Sequence, residues 1–214
     1  MRSIKALELI RKGKVEELEA LLVDEVYQDS LKTKPDAKKR YMAMKKYFNY
    51  TDSARDCLRR PCVIEFEGKE YTSFTNSWSL VLTTEPTGEI ELFNEEMGKY
   101  PDVARLIRFD GIKKKIDFNS VIAAAKSKGY KLNKTEVGPG FKYLMLYDGT
   151  YYKIGLIDIS HSIINDGQPA MTYHPDGEKM PLTFQTEYGI CMLMPVFMHD
   201  GTPDESHIVI EAII

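Results

Sequence analysis

One pattern restricts the fold of this chain more than any other. Segments with apolar residues at helical spacing are followed by short runs suited to strands, and tight glycine turns join those strands. Glu67-Gly68-Lys69 separates expected strands at 63–67 and 70–75, with a third at 79–84. Asp148-Gly149-Thr150 separates strands at 142–147 and 151–157. Turns this short reverse the chain, so the strands they join pair antiparallel. Further strands are expected at 170–173, 182–186 and 190–197. Helices segregated from hairpin-linked strands predict an α+β fold with antiparallel sheets, not a βαβ nucleotide-binding fold.

The helices can be placed as well. Ile4, Leu7 and Ile10 share one helical face; Gly13 interrupts, and Val15, Leu18, Leu22 and Val26 resume the stripe. Lys34-Pro35-Asp36 marks a break, because a proline disfavours helix at the residue before it. A second helix is expected from about Asp36 to Tyr50, carrying Tyr41, Met44 and Phe48 on its apolar face. A third carries Phe118, Val121, Ile122 and Ala125, with Asp117 or Asn119 as cap and Gly129 as its end. A short helix is expected at 159–165. Residues 85–99, with Pro86, Gly88 and Gly98, read as a connector holding at most a short strand at 90–93.

At 43% hydrophobic and 29% charged residues, the 214-residue chain has the composition of a globular protein with a real core. Its longest apolar stretch, 190–198, suits a buried strand and is too short for a membrane span. The first residues run into Glu8, Arg11 and Lys12 before any signal-peptide apolar core, so a cytoplasmic protein is expected.

Little points to catalysis. Cys57, Cys62 and Cys191 are odd in number and form no Cys-x-x-Cys pair, so free thiols are expected. His161, His174, His199 and His207 show no metal-ligand spacing, and His199-Asp200 before Gly201 reads as a turn. Gly138-Pro139-Gly140 lacks the lysine and hydroxyl partners of a phosphate loop. Cys62 with His161 is the one nucleophile–base pairing left open in principle. The expectation is a protein that is not an enzyme and takes no cofactor or metal.

The charge distribution is more informative. Between Asp36 and Arg60 stand eight cations against three acids, in a chain of net charge −3. Lys38, Lys45 and Lys46 can share much of one helix face, with Arg59 and Arg60 just beyond. Such a face either neutralises phosphates without reading sequence or is simply solvated. Lys113-Lys114-Lys115 reads as a linker or as the guard of an edge strand.

Three short segments carry a resemblance. They are Phe74-Thr75-Asn76-Ser77-Trp78-Ser79-Leu80-Val81, Tyr100-Pro101-Asp102-Val103-Ala104-Arg105-Leu106-Ile107, and Met192-Leu193-Met194-Pro195-Val196. With Arg60-Pro61 and the strand after it, they resemble, in order, motifs of the bacterial DNA polymerase III beta subunit, the DNA sliding clamp. The resemblance covers roughly residues 36–198. It implies a clamp-like fold: a helical N-terminal extension at 1–35, a partial clamp-like domain at 36–110, a shortened one at 111–198 and a C-terminal tail at 199–214. It also implies a pocket for short peptide motifs of DNA polymerase and other replication or repair proteins. By position that pocket falls to Thr75, Leu80, Pro101, Arg105, Leu106, Met192, Met194, Pro195 and Val196.

The resemblance further implies sequence-independent contact with duplex DNA through Lys38, Lys45, Lys46, Arg59 and Arg60. A homo-oligomer is implied and a membrane is not. The chain departs from the family in several places. Only residues 82–99 lie between the first two motifs, where the family carries another half-domain, and Asn76, Ser79 and Ala104 replace its usual aspartate and arginines. The shortened form points to a processivity-factor-like protein of the phage or mobile-element type. The alternative is a non-ring interaction or inhibitory module that binds host replication proteins without DNA. Ile208-Val209-Ile210 and Ile213-Ile214 are too apolar to stay free, so the tail is expected either to add a strand or to plug the pocket.

Overall fold

A computed structural model describes residues 2–50, 55–175, 180–197 and 203–212. His199, Asp200, Ile213 and Ile214 lie outside the described residues. α1 (Arg2–Arg11) and α2 (Val15–Ser30) form a helical hairpin that turns at Gly13, whose φ of +65° suits glycine. α3 (Pro35–Tyr50) starts on its proline, a residue that lacks only a hydrogen bond the first turn would not make. Tyr41, Ala43, Met44 and Tyr47 are its buried face.

Three strands follow: β1 (Cys62–Phe66), β2 (Lys69–Thr75) and β3 (Ser79–Thr83). The β1–β2 turn puts Glu67 and Gly68 at φ +51° and +73°, the positive values a two-residue hairpin needs. After the connector come β4 (Ile112–Ile116), α4 (Phe118–Ser127), α5 (Lys134–Val137), β5 (Tyr143–Tyr147) and β6 (Thr150–Lys153). α6 (Ile154–Ile164), β7 (Ala170–His174), β8 (Leu182–Thr186), β9 (Gly189–Leu193) and β10 (Ile208–Glu211) complete the chain. The fold is α+β, with a helical N-terminal segment, as the hairpin signals require.

Seven strands form one antiparallel sheet in the order β1-β2-β3-β9-β8-β7-β4. The unit α3–β1–β2–β3 and the unit α6–β7–β8–β9 have the same element order, and they meet at β3 and β9. Val81 stands opposite Cys191 at the middle of that seam. The sheet is therefore organised as two like halves about a topological twofold axis, with β4 added at one edge. α3 and α6 also pack on each other, so the two halves share their helical layer.

Alternation along the seam strands serves two cores. Phe74, Val81, Cys191 and Leu193 join the larger one under α3, α4 and α6. Leu80, Leu82, Ile190 and Met192 point the other way, where Val103 and Ile107 of the connector cover them. A second, small sheet runs β10-β5-β6.

Several expectations are corrected. Residues 154–157, expected as strand, are the first turn of α6. Ten of the eleven α6 residues are buried, so the segment has no polar face to reveal a helical period, and its β-branched residues mimic a strand. No strand forms at 90–93; Phe93 N instead donates to Pro61 O at 2.7 Å. β9 stops at Leu193, because Pro195 has no N–H to donate and the Val196 N–H turns to Tyr151 O of β6 at 2.8 Å. Lys113, Lys114 and Lys115 lie on edge strand β4. The tail adds a strand: β10 pairs parallel to β5, with Ile208 opposite Tyr143. Among the described residues, none of the tail lines the cavity at the β3–β9 seam.

Candidate functional site

Strand register builds the floor of a cavity before any loop is considered. Thr75 of β2 stands opposite Leu80 of β3, Leu80 opposite Met192 of β9, and Met192 opposite Thr183 of β8. Residues directly opposite in antiparallel strands present their side chains on the same face. Four strands thus lay a single row, and it lies on the face away from the helices. Leu80 and Met192 are also part of the smaller core, so the floor is rigid where the cavity begins.

The walls come from the ends of elements. Between β2 and β3 the Asn76 side chain accepts from the N–H groups of Trp78 and Ser79 at 3.0 and 2.8 Å, and from Ser79 Oγ at 3.1 Å. Thr75 Oγ1 donates to Ser79 O at 2.9 Å, and Ser79 Oγ shares a 2.8 Å hydrogen bond with the Tyr47 hydroxyl of α3. This network holds Ser77 at φ +72°, a strained value for a residue with a side chain. Met194 N donates to Trp78 O at 2.9 Å and ties the opposite wall to the same turn. Connector residues 103–109 supply the third wall. Their anchors are Tyr100, bonded to Ser73 at 3.1 Å, and Phe109, packed edge-on to Tyr173 at 5.0 Å.

The cavity has a volume of about 480 Å³. Six of the nine expected residues line it: Thr75, Leu80, Arg105, Leu106, Met192 and Met194. They come from three segments, the first and last more than a hundred residues apart in the chain. Pro101, Pro195 and Val196 do not line it. Pro101 precedes the 3-10 turn of Val103–Leu106, and Pro195 and Val196 lead away to β6. The structure adds Ser77, Ser79, Arg108, Pro175, Met180, Pro181 and Thr183. Thr183 was within reach of the sequence, since the tight turn at Glu187-Tyr188 fixes it opposite Met192. Pro175 and Pro181 left no comparable signal, because they enter only once β7 and β8 are neighbours.

The chemistry of the lining is apolar inside and cationic at the rim. Leu106 is 52% exposed although it faces an apolar cavity. Methionines at 180, 192 and 194 give a surface that adapts to the shape of an apolar group. Arg105 and Arg108 supply positive charge at one end, Arg105 holding Asp102 at 2.6 Å. Asn76 and Ser79 shape the turn. Trp78, half exposed beside the cavity, stacks on Lys153, whose ammonium lies 5.1 Å from its ring and 4.6 Å from that of Phe141. Burial pushes the Lys153 amine below its usual range.

The five expected DNA-contacting cations divide into two groups. Lys38 and Lys46 line a groove of about 870 Å³ bounded by α3, α4 and α6. Lys45, Arg59 and Arg60 line a smaller hollow that also holds two acids. There Lys45 pairs with Glu89, and Arg60 pairs with Glu91 at 2.8 Å. Arg40 is buried; it stacks 3.5 Å over the Tyr188 ring and donates to Asn165 O at 3.1 Å.

Cys62 and His161 are set in different surroundings. Cys62 is on edge strand β1, and burial raises its thiol. His161 is buried on α6 against Phe118 and Phe184. All three cysteines are free thiols. Among the described residues no helix is long and apolar enough to cross a membrane. No protein-family model, curated protein or solved structure matches this chain.

Proposed function

We propose that this chain is a sliding-clamp-like accessory protein of DNA replication, cytoplasmic and non-catalytic, which docks short linear motifs of polymerase or repair proteins. The observation that carries this reading is the cavity at the β3–β9 seam. It gathers an apolar floor, three methionines and two arginines from four separated segments. A cavity of this kind suits two or three apolar side chains of an extended peptide, with an acid near Arg105 or Arg108. The paired helix-plus-three-strand halves support the same reading, as does the basic face of α3, which would contact the duplex through phosphates.

Trp78 is the only tryptophan, and it stands in the chain between Ser77 and Ser79 of the cavity lining, so its fluorescence should respond to occupancy. Titration with a clamp-binding peptide should give saturable quenching or enhancement. Leu106→Asp should weaken binding at least tenfold, since it buries a charge against the peptide. The exposure of Leu106 allows that substitution without unfolding the chain. No saturable signal at high micromolar peptide would sink the reading.

A second reading has its own observation. Lys45 and Arg60 already hold glutamates. A non-ring interaction or inhibitory module that binds replication proteins through the same cavity, without DNA, would need no free basic face.

A further inference from the structure

The N-terminal hairpin leaves more apolar surface open than a solitary helix pair needs. On α1, Leu9 is buried while Leu7 and Ile10 are 55% and 58% exposed. On α2, Val15, Leu22, Val23 and Val26 are each about half to three-quarters exposed. With Leu18 and Tyr27 they line an open trough of about 660 Å³ along the helix. Among the described residues, every side chain lining that trough belongs to α2 itself. The hairpin is fixed to the body at one end. Tyr27 donates to Pro86 O at 3.1 Å and meets the Tyr41 ring edge-on at 5.1 Å, and Leu31 is buried just beyond.

The charges say what would cover it. Residues 1–14 carry five cations (Arg2, Lys5, Arg11, Lys12, Lys14) and one acid, Glu8. Residues 15–30 carry six acids (Glu16, Glu17, Glu19, Asp24, Glu25, Asp29) and no cation. An occupant must therefore bring an acidic helix to α1 and a basic one to α2, with an apolar stripe between. A second copy of the hairpin does both by construction, because a twofold interface is self-complementary. We propose that two copies of this chain associate hairpin to hairpin in a four-helix bundle, α1 of each beside α2 of the other. The opposite arrangement, α1 on α1 and α2 on α2, sets like charges together and is disfavoured. Six open apolar side chains per copy (Leu7, Ile10, Val15, Leu22, Val23 and Val26) with their charged flanks would make the contact, for which a standard interface buries ~800 Å² per partner.

Light scattering on the full chain tests this. The expected mass is twice 24.5 kDa, falling toward the monomer on dilution. Leu22→Glu with Val26→Glu should give a monomer with unchanged far-UV circular dichroism, both sites being exposed. A charge-swap pair adds a readout that a general loss of stability cannot mimic. One chain carries Glu16→Lys, Glu17→Lys and Glu19→Lys; the other carries Arg11→Glu, Lys12→Glu and Lys14→Glu. Each alone should be monomeric, and the mixture should form a heterodimer at least tenfold tighter than either self-pair. A wild-type monomer at high micromolar concentration would overturn the proposal. So would a dimer that survives Leu22→Glu with Val26→Glu, or a mixture that does not pair.

Discussion

His161 shows how one buried side chain makes stability depend on pH. Its ring packs against Phe118 at 5.3 Å and Phe184 at 6.1 Å, and its Nε2 has no hydrogen-bond partner among the described residues. Burial pushes the imidazole down to about 4 from the ordinary 6.5, despite the opposing fields of Asp166 and Asp117. The folded protein therefore refuses a proton that the unfolded chain accepts below 6.5. Stability from this residue is complete above pH 6.5 and is lost as the pH falls toward 4, by about 3 kcal/mol in all. Asp158 acts in the opposite sense, since burial raises its carboxyl and makes the folded state hold its proton longer. The difference between wild type and His161→Phe isolates the histidine. Denaturant unfolding should show wild type losing about 3 kcal/mol relative to the variant as pH drops from 6.5 to 4, with a constant difference above. A gap that does not change across that window would disprove the account. The histidine was visible in the sequence, but its setting was not, because Phe118 and Phe184 reach it from other elements.

At the scale of elements the decisive feature is the close approach of β9 to β3. Gly189 stands opposite Thr83 in the register. A Cβ there would lie 2.0 Å from the Leu82 carbonyl oxygen and 2.7 Å from Ile164 Cγ2. Backbone cannot give way as a flexible side chain can, so Gly189→Ala must push the two halves of the sheet apart. The expected loss is about 3 kcal/mol or more, roughly 8 °C in Tm. Gly68→Ala is the control: its Cβ meets nothing within 4 Å, and only the positive φ opposes it, at about 1 kcal/mol. Thermal melts that rank the two variants the other way would show that the seam is not tightly packed. The sequence carried the hairpins on either side of this seam, because their turns are local. Local signals carried nothing of the strand pairing at the seam, which joins Ser79–Thr83 to Gly189–Leu193; only the resemblance brought Leu80 and Met192 together. α6 escaped for a related reason: buried nearly all round, it has no polar stripe to count.

The molecule as a whole decides what the basic segment can do. Charge counting along the chain put Lys38, Lys45 and Lys46 on one helix face with Arg59 and Arg60 just beyond; folding divides these five between two grooves, and supplies Glu89 and Glu91 to one of those grooves. The connector that carries these glutamates offered at most a short strand at 90–93, which does not form, so the neutralisation was not legible. The consequence is quantitative. Phosphate contact through Lys45 or Arg60 must first break an ion pair, which offsets most of the gain, whereas Lys38 and Lys46 face the α3–α6 groove beside Asn119 and Asn165. If the protein binds duplex DNA in the way proposed, about two phosphates are neutralised, and log K should fall with log salt at a slope near −2. Lys38→Glu with Lys46→Glu should abolish binding, while Lys45→Gln with Arg60→Gln should change it less than threefold. A slope steeper than about −5 would mean that both grooves are engaged and that the glutamates move aside. No binding at low salt, alongside intact peptide binding at Trp78, would select the non-ring module. The helix pair that joins the two halves of the sheet would then be a structural layer, and the cavity on the opposite face the site of function.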